Sequence, residues 1–259
     1  MAETEPKALA PQRWDTLRAL IRDTGVIRVE DLCRRLEVSA ATVRRDLDQL
    51  ERGGAIRRVH GGAVSVESRL EEPLFDDKAS LAVREKRRIA EAALALIEPD
   101  DTIYLDGGST VLELARLLRD RSNLTVVTNS LRAAHELAGR GPKLLVVGGE
   151  LRRLSQTLVG PLSRLVLDGL HLDKAFMGTI GFALREGLTT TDTNEAFTKE
   201  SVMGQAREVI LLADSSKAGK VSFACAGRWE RVHILVTDKR LDKLFAKELI
   251  HQGVKLIRA

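Results

Sequence analysis

The sequence predicts a small domain of three short helices and a β-hairpin, followed by a larger α/β domain with a mostly parallel sheet. Three observations support this prediction. Apolar residues near the amino terminus recur at helical spacing and give way to a short, glycine-containing hairpin pattern. A charged stretch without apolar periodicity follows. Beyond it, short continuous apolar runs are separated by amphipathic segments, which is typical of parallel strands covered by helices on both faces.

These patterns set the predicted domain boundaries. We place the small domain over residues 1–65, a linker or interdomain brace over 66–82 and the α/β domain over 83–259. The linker is the segment "VESRLEEPLFDDKASLA", which is charged and follows neither the helical nor the strand period. No internal repeat and no low-complexity tract is found in the sequence.

The three helices of the small domain are predicted in order. Leu17, Leu20 and Ile21 recur at the helical period, and Glu30–Leu36 forms a second short helix. Ser39 is a good N-cap for the third helix. The inward positions of that helix, spaced i, i+4 and i+7, are Val43, Leu47 and Leu50. The segment "AIRRVHGGAV" then predicts a hairpin, or wing, with Gly61-Gly62 as its turn.

Seven apolar runs predict the strands of the second domain. They are "TIYLD", "LTVVTN", "KLLVVGG", "KAFMGTIG", "EVILLAD", "HILVTD" and "VKLI". Helical patterns between them cover Thr110–Arg119, Asn194–Arg207 and Leu241–His251.

Composition excludes several classes of protein. With 44% hydrophobic and 30% charged residues, the chain is typical of a soluble globular protein. A net charge of +4 permits an acidic partner without demanding one, and 3% aromatic residues argue against base stacking on single strands. No secretory or membrane-spanning segment is evident, so we expect a cytoplasmic location. Cys33 and Cys225 lie far apart and the histidines are scattered, so we expect no disulfide framework, no metal and no cofactor.

The third helix has an outward face suited to the DNA major groove. The residues of its amino-terminal half are small or basic. The helix can therefore approach closely, contact thymine methyl groups and place arginines in bidentate contact with guanine or in contact with phosphate. A preceding helix and a tight turn complete a helix-turn-helix, and the wing adds basic residues for a neighbouring phosphate. The candidate DNA-binding residues are Ser39, Ala41, Thr42, Arg44, Arg45, Arg57, Arg58 and His60. The alternative is an ordinary solvated helix face that happens to carry two arginines.

The stretch "VSAATVRRDLDQLERGGAIRRVHGGAV" resembles the DNA-binding signature of the DeoR family of bacterial repressors. In that signature a Val-Ser pair and a threonine precede Arg-Arg-Asp-Leu, and the pattern ends in Arg-Val-His-Gly-Gly-Ala. The resemblance implies that Arg44 and Arg45 contact DNA and that Asp46 orients an arginine.

A second candidate site follows the first predicted strand of the α/β domain. In "TIYLDGGSTVLEL" a strand, a glycine-rich turn and a helix start follow one another, so free backbone N–H groups and two hydroxyls can bind an anion. The candidate residues of this turn are Asp106, Gly107, Gly108, Ser109 and Thr110. The spacing is neither that of a nucleoside triphosphate loop nor that of a dinucleotide fingerprint. A structural turn without a ligand remains the alternative.

Other polar strand ends support the same ligand. In an open parallel sheet, ligands bind outside the carboxyl ends of the strands. The further candidate residues are Thr128, Asn129, Gly148, Gly149, Asp192, Glu195, Lys199 and Lys217. Together they predict a small, polar, anionic ligand. Glu195 and Lys199 are equally compatible with a plain i,i+4 helix pair, and Lys217 with a solvated loop lysine.

The resemblance continues through this half of the chain. "LDGGST", "VVTNS", "GGELR", "DKAFMGTIG", "GLTTTDTNEA" and "DSSK" resemble the effector domain of the DeoR family in order and spacing. That domain is similar in fold to ribose-5-phosphate isomerase and in the family binds phosphorylated sugars or related intermediates. Ala218 departs from the pattern, because family members commonly have an aromatic residue there, so the resemblance does not imply the shape of the pocket wall at that point.

The sequence therefore predicts a transcriptional repressor of a carbohydrate operon that a phosphorylated sugar releases from double-stranded operator DNA. We expect it to act as a dimer or larger oligomer, because two heads read spaced half-sites. One alternative is a sugar-phosphate isomerase with an accessory DNA-binding head, but "TTTDTNEAF" stands where the related isomerases carry an Asp-Asp-Gly motif. Another is a constitutive DNA-binding protein whose sensor is vestigial.

Overall fold

The computed structural model describes residues 10–24, 26–53, 56–59, 62–65, 72 and 74–259. The chain divides into two compact units, the first over residues 1–71 and the second over residues 72–259.

The first unit contains the predicted helices and hairpin. Its elements are α1 (Ala10–Thr24), β1 (Val26–Arg28), α2 (Val29–Leu36), α3 (Ala40–Arg52), β2 (Ile56–Val59) and β3 (Gly62–Ser65). The strands form an antiparallel sheet in the order β1-β3-β2. The predicted inward stripe of α3 is confirmed, since Val43 and Leu47 are fully buried and Leu50 is nearly so. They pack with Leu17 and Ile21 of α1 in one apolar cluster.

Gly62 has a different role from the predicted one. It is the first residue of β3 and pairs with Arg28 of β1. A β-carbon at this position would lie 2.4 Å from the carbonyl oxygen of Ile27, so only glycine allows the two strands to approach. Gly61, the other predicted turn residue, lies outside the described residues.

Asp46 connects α1 to α3 from a buried position. Its carboxylate accepts hydrogen bonds from Arg13 Nε at 2.6 Å, Arg13 Nη2 at 3.1 Å and Trp14 Nε1 at 2.8 Å. Burial alone would raise the pKa of Asp46, but the hydrogen bonds from Arg13 and Trp14 outweigh it and lower the pKa. The predicted arginine partner of Asp46 is therefore Arg13 of the first helix.

The second unit is an α/β domain. Its helices are α4 (Phe75–Ser80), α5 (Val83–Leu94), α6 (Ser109–Leu117), α7 (Leu131–Leu137), α8 (Pro161–Leu167), α9 (Thr193–Gln205) and α10 (Lys243–His251). Its strands are β4 (Thr102–Leu105), β5 (Thr125–Thr128), β6 (Lys143–Val146), β7 (Glu150–Arg152), β8 (Thr157–Val159), β9 (Leu172–Met177), β10 (Gly181–Ala183), β11 (Gly187–Thr190), β12 (Ala206–Leu212), β13 (Ala224–Gly227), β14 (Ile234–Thr237) and β15 (Lys255–Arg258). Among the described helices, none has the length and apolar composition needed to cross a membrane.

The predicted parallel sheet is confirmed. Within the described part of the chain, β15-β14-β12-β9-β4-β5-β6 form one seven-stranded sheet whose neighbouring strands all run parallel. All seven predicted apolar runs fall on these strands. The chain adds β5 and β6 on one side of β4, and then β9 and the later strands on the other side. The boundary between β4 and β9 is therefore the switch point at which open sheets of this kind place their ligands.

Both faces of the sheet are covered at its centre. Successive residues of β4 point to opposite sides, because Tyr104 belongs to one apolar cluster whereas Ile103 and Leu105 belong to the other. All three side chains are fully buried. This arrangement explains the continuous apolar runs of the sequence.

The structure differs from the predicted linker over residues 66–82. Glu72 and residues 74–82 belong to the second unit, where they include helix α4. Phe75 is 3% exposed and packs into the core beside α6, and Arg132 lies over its ring at 5.4 Å. One aromatic anchor can dock a short helix without any apolar periodicity, which is why the pattern gave no signal.

Replacing Asp46 with Asn should destabilise the first unit by about 1–3 kcal/mol, because Arg13 and Trp14 lose their ionised acceptor in a buried site. Chemical unfolding followed by tryptophan fluorescence measures the change, since Trp14 reports from within this unit. Asp15→Asn is the matched control, because its ion pair with Arg18 is exposed. Equal stability of the two variants would contradict a stabilising role for Asp46.

Candidate functional site

Helix α3 exposes the predicted reading face. Ala41, Arg44 and Arg45 are exposed on the side opposite the buried stripe. Ser39 caps the helix, because its Oγ accepts a hydrogen bond from Thr42 N at 3.2 Å, and the two hydroxyls lie 3.0 Å apart. The capping holds the small and basic residues at the amino end of the helix, where a groove-reading helix presents its contacts.

The wing is bonded to the outer side of α3. The Arg58 guanidinium donates to the carboxylate of Asp48 and, at 3.4 Å, to the carbonyl oxygen of Arg44. The backbone N–H of Arg58 donates to Glu51 Oε1 at 2.7 Å. Arg58 therefore fixes β2 against α3, and its charge is already paired within the unit.

The structure does not describe the side chains of two predicted DNA-contacting residues of the wing. Arg57 lies in β2, opposite Val64 of β3, but its side chain is outside the described residues. His60 also lies outside the described residues. Their proposed contacts with DNA stay predictions.

The second unit has a pocket at the switch point of its sheet. It is lined by the loop leading from β4 into α6 and the loop following β9, together with residues of α4, of α9 and of the segment after β12. The pocket and the open solvent at its mouth together have about 410 Å³ of empty space. The predicted residues that line it are Gly107, Gly108, Ser109, Thr110, Glu195, Lys199 and Lys217. Further polar or glycine lining residues are Glu72, Lys78, Ser155, Gly178 and Thr179. We call this space the carboxyl-edge pocket.

Helix α6 presents its amino end to the pocket without a side-chain cap. Gly108 is the N-cap residue, and Leu112 N donates the first helical hydrogen bond to Gly108 O at 3.0 Å. The backbone N–H groups of Ser109, Thr110 and Val111 therefore precede the hydrogen-bonded ladder. Thr110 Oγ1 is buried and has no hydrogen-bond partner within the described residues. Such groups are the donors with which helix N-termini bind phosphate and other anions.

Glycines allow the two pocket loops to meet. Gly108 has φ +126°, in the region that favours glycine. A β-carbon on Gly178 would lie 2.7 Å from the carbonyl oxygen of Gly107. The loops after β4 and β9 are therefore packed backbone against backbone.

A buried charge cluster lies behind these loops. Asp106 Oδ2 accepts hydrogen bonds from Gly178 N at 2.9 Å and from Lys199 Nζ. Lys199 Nζ also donates to Gly178 O at 3.1 Å and lies 3.4 Å from Glu195 Oε1. Burial alone would lower the pKa of Lys199, but Asp106 and Glu195 raise it, so the ammonium stays charged. Burial raises the pKa of Glu195. Asp106 therefore supports the pocket rather than lining it.

Lys217 supplies a second cation to the pocket. Its Nζ donates to Thr179 O at 2.7 Å. Burial lowers the pKa of Lys217 to about 8, while Asp214 opposes the shift and the neighbouring lysines reinforce it. A ligand anion next to Lys217 would stabilise the protonated form.

Glu72 and Lys78 line the pocket from the part of the chain that precedes α5. The Glu72 side chain is 1% exposed and accepts hydrogen bonds from Lys78 Nζ, from Arg152 Nη2 at 2.5 Å and from Thr191 Oγ1 at 2.7 Å. Burial alone would raise the pKa of Glu72, but the Arg152 hydrogen bond and the Lys78 charge lower it to about 2. Arg152 Nη1 also lies 3.2 Å from Glu195 Oε2, so one guanidinium links two carboxylates.

The structure places four other predicted residues away from the pocket lining. Thr128 is buried between strands and donates to Leu105 O at 2.6 Å. Asn129 donates to Leu158 O at 3.1 Å. Gly148 and Gly149 lie between β6 and β7, where Gly149 packs against the backbone of Val159.

Asp192 also has a structural role. Its side chain caps α9 by accepting from Glu195 N at 2.8 Å, and it lies 3.6 Å from Arg152 Nε. Polar residues at strand ends thus divide into those that bind the neighbouring backbone and those that face the pocket.

Several lining residues were missed by the sequence analysis. Gly178 and Thr179 directly follow β9, so the rule that ligands bind at carboxyl strand ends, applied to "KAFMGTIG", would have found them. Glu72 and Lys78 lie in the segment assigned to the linker and carried no such signal. Among the described residues, no group of three or more His, Cys, Asp or Glu side chains could hold a metal ion.

Comparison with protein families gives matches in both units. A DeoR-like helix-turn-helix domain matches residues 13–69, and a DeoR C terminal sensor domain matches residues 81–239. Together they span most of the chain.

Individual relatives match over nearly their whole length. The chain is 35% identical over 249 residues to the HTH-type transcriptional regulator GlpR of Haloferax volcanii, covering 96% of this chain and 98% of the relative. It is 35% identical over 240 residues to the lactose phosphotransferase system repressor of Streptococcus mutans, covering 91% and 95%. A ribose 5-phosphate isomerase of Methanocaldococcus jannaschii is similar to 51% of this chain and 53% of its own at TM-score 0.39 and 21% identity. The family assignment rests on the sequence matches alone.

The affinity of the carboxyl-edge pocket for sulfate should fall roughly tenfold between pH 7 and pH 9. Sulfate does not titrate in this range, whereas Lys217, with a pKa of about 8, loses its proton. Calorimetric titration at the two pH values measures the change. Lys217→Gln should bind sulfate weakly and with little dependence on pH. If the sulfate affinity of Lys217→Gln falls equally between pH 7 and pH 9, a group other than Lys217 loses the proton.

Proposed function

The chain belongs to the DeoR family of DNA-binding transcriptional regulators, and from that premise we propose that it represses a carbohydrate-related operon and leaves its operator when a phosphorylated sugar binds in the carboxyl-edge pocket. Its relatives are named transcriptional regulators, so the chain is a regulator and not an isomerase. The names of an aga operon transcriptional repressor and a lactose phosphotransferase system repressor support repression, and the second name also supports a carbohydrate signal.

One observation carries the ligand assignment. The uncapped amino end of α6, the Thr110 hydroxyl and the Lys217 ammonium line the same pocket as Glu195. The first three groups suit a phosphate. Glu195 Oε2 makes no hydrogen bond within the described residues, so it can accept one from a ligand hydroxyl, although Arg152 lies nearby. A phosphorylated sugar offers a phosphate to the first three groups and hydroxyls to Glu195.

The DNA contacts are proposed for the exposed half of α3. Arg44 and Arg45 would enter the major groove while Ala41 allows close approach, and Ser39 and Thr42 would add contacts near the helix start. We propose a dimer or larger oligomer, because one such head has limited affinity and paired heads read spaced half-sites. The ligand acts through its difference in affinity for the DNA-binding and released states.

Arg45→Ala should weaken operator binding by about 1–3 kcal/mol and relax the sequence preference at the position it reads. Gel-shift titration of the operator and its single-base variants measures both effects. Arg52→Ala is the matched control, because Arg52 lies two turns away at the carboxyl end of the same helix and is also exposed. Equal losses in the two variants would assign the effect of Arg45 to overall charge.

Ser109→Glu should abolish release of operator DNA by the phosphorylated sugar while leaving DNA binding intact, because it adds an anion at the amino end of α6. A panel of phosphorylated sugars, screened by thermal shift and then by gel-shift release, supplies the ligand. Ser122→Glu adds the same charge at an exposed loop of the same unit and should respond as the unmodified protein does. If Ser109→Glu still releases DNA, the phosphate site lies elsewhere.

A further inference from the structure

Glu72 occupies a special position along the chain. It is the first residue of the second unit, and residues 1–71 make up the first. It is also a lining residue of the carboxyl-edge pocket, with a side chain that is 1% exposed. The second unit therefore begins, along the chain, at a residue that lines the pocket.

The segment after Glu72 is attached to the same pocket. Lys78 of α4 bonds to Glu72 through its ammonium, while its carbonyl oxygen accepts from the buried ammonium of Lys86. Lys86 also donates to Leu81 O at 2.5 Å, and Ser109 Oγ lies 3.5 Å from Lys78 O. The start of the second unit is thus held by hydrogen bonds from the buried Lys86 and lies next to the pocket residue Ser109.

The cations of the pocket differ in how firmly they are held. Lys199 is bound by Asp106 and Glu195 and is buried behind the loops. Lys217 donates to the carbonyl oxygen of Thr179. Lys78 is half-buried and its carboxylate partner is Glu72. A phosphate that binds at the amino end of α6 has two available counter-charges, the ammonium groups of Lys217 and Lys78. The carboxylate of Glu72 already binds the ammonium of Lys78.

We propose that Glu72 is an internal competitor of the ligand: its carboxylate holds Lys78 in the ligand-free protein, and a phosphorylated ligand takes Lys78 from it. The proposal rests on the proposed phosphate site. A dianionic phosphate close to the Glu72 carboxylate also repels it, so the two anions cannot share the pocket at no cost. The ligand-bound state therefore holds Glu72 and α4 less firmly than the ligand-free state does.

This competition gives the ligand a difference in affinity between two states of Glu72 and helix α4. A ligand shifts a conformational equilibrium only by such a difference. With Glu72 on Lys78, the first described residues of the second unit are held; with phosphate on Lys78, they are held less firmly. Ligand occupancy thus changes how firmly the start of the second unit is held.

The test uses the full chain with inorganic phosphate as the probe. Glu72→Gln keeps the shape of the side chain and removes its charge, so it should bind phosphate roughly tenfold more tightly in calorimetric titration. Hydrogen exchange of residues 74–82 should rise when phosphate is added to the unmodified protein. In Glu72→Gln it should be raised already and unaffected by phosphate. Asp77→Asn, an exposed carboxylate of the same helix, should behave as the unmodified protein does.

A second variant keeps the test decisive if Glu72→Gln does not fold. Lys78→Gln should bind phosphate roughly tenfold more weakly and show raised exchange at 74–82 without phosphate. The proposal is overturned if phosphate binding is abolished by Ser109→Glu, yet Glu72→Gln binds no more tightly and exchange at 74–82 does not respond. That result leaves the phosphate site standing. Failure of the unmodified protein to bind phosphate at all overturns both.

Discussion

The carboxyl-edge pocket depends on one buried carboxylate, that of Asp106. It joins the end of β4 to the loop after β9 through Gly178 N, and it holds the ammonium of Lys199 from α9. Three elements that are distant in sequence are thereby fixed at the switch point of the sheet. The buried lysine stays charged because the carboxylates of Asp106 and Glu195 lie beside its ammonium, and the loops can meet only because Gly178 has no side chain. The pocket is the space that this junction leaves open.

The first unit uses charge in a comparable way. In the triplet Arg44-Arg45-Asp46 the arginines are exposed, whereas the aspartate is buried and bonded to Arg13 and Trp14. One short motif therefore supplies both the basic surface of α3 and the bond that sets α3 against α1. Arg44 and Arg45 thus give the exposed face of α3 its charge, and the adjacent Asp46 holds α3 in place.

Much of the architecture could be predicted from the sequence because it follows from periodicity. Continuous apolar runs located the parallel strands, and the stripe of Val43, Leu47 and Leu50 oriented α3. Site membership was harder to predict. Thr128 and Asn129 satisfy the rule for strand ends, yet their side chains bind neighbouring backbone carbonyl groups. Glu72 lacks any local pattern, because its role depends on contacts with residues that are distant in the chain.

The pairing of Arg58 with Asp48 bears on how strongly binding to a duplex should respond to ionic strength. Salt dependence reflects the counterions that DNA loses when protein cations replace them. A phosphate group that contacts Arg58 meets a guanidinium whose Nη1 is already paired with the carboxylate of Asp48, so that carboxylate offsets part of the charge that Arg58 offers to DNA. The logarithmic slope against salt concentration should therefore correspond to fewer phosphates than the number of basic residues on this face suggests.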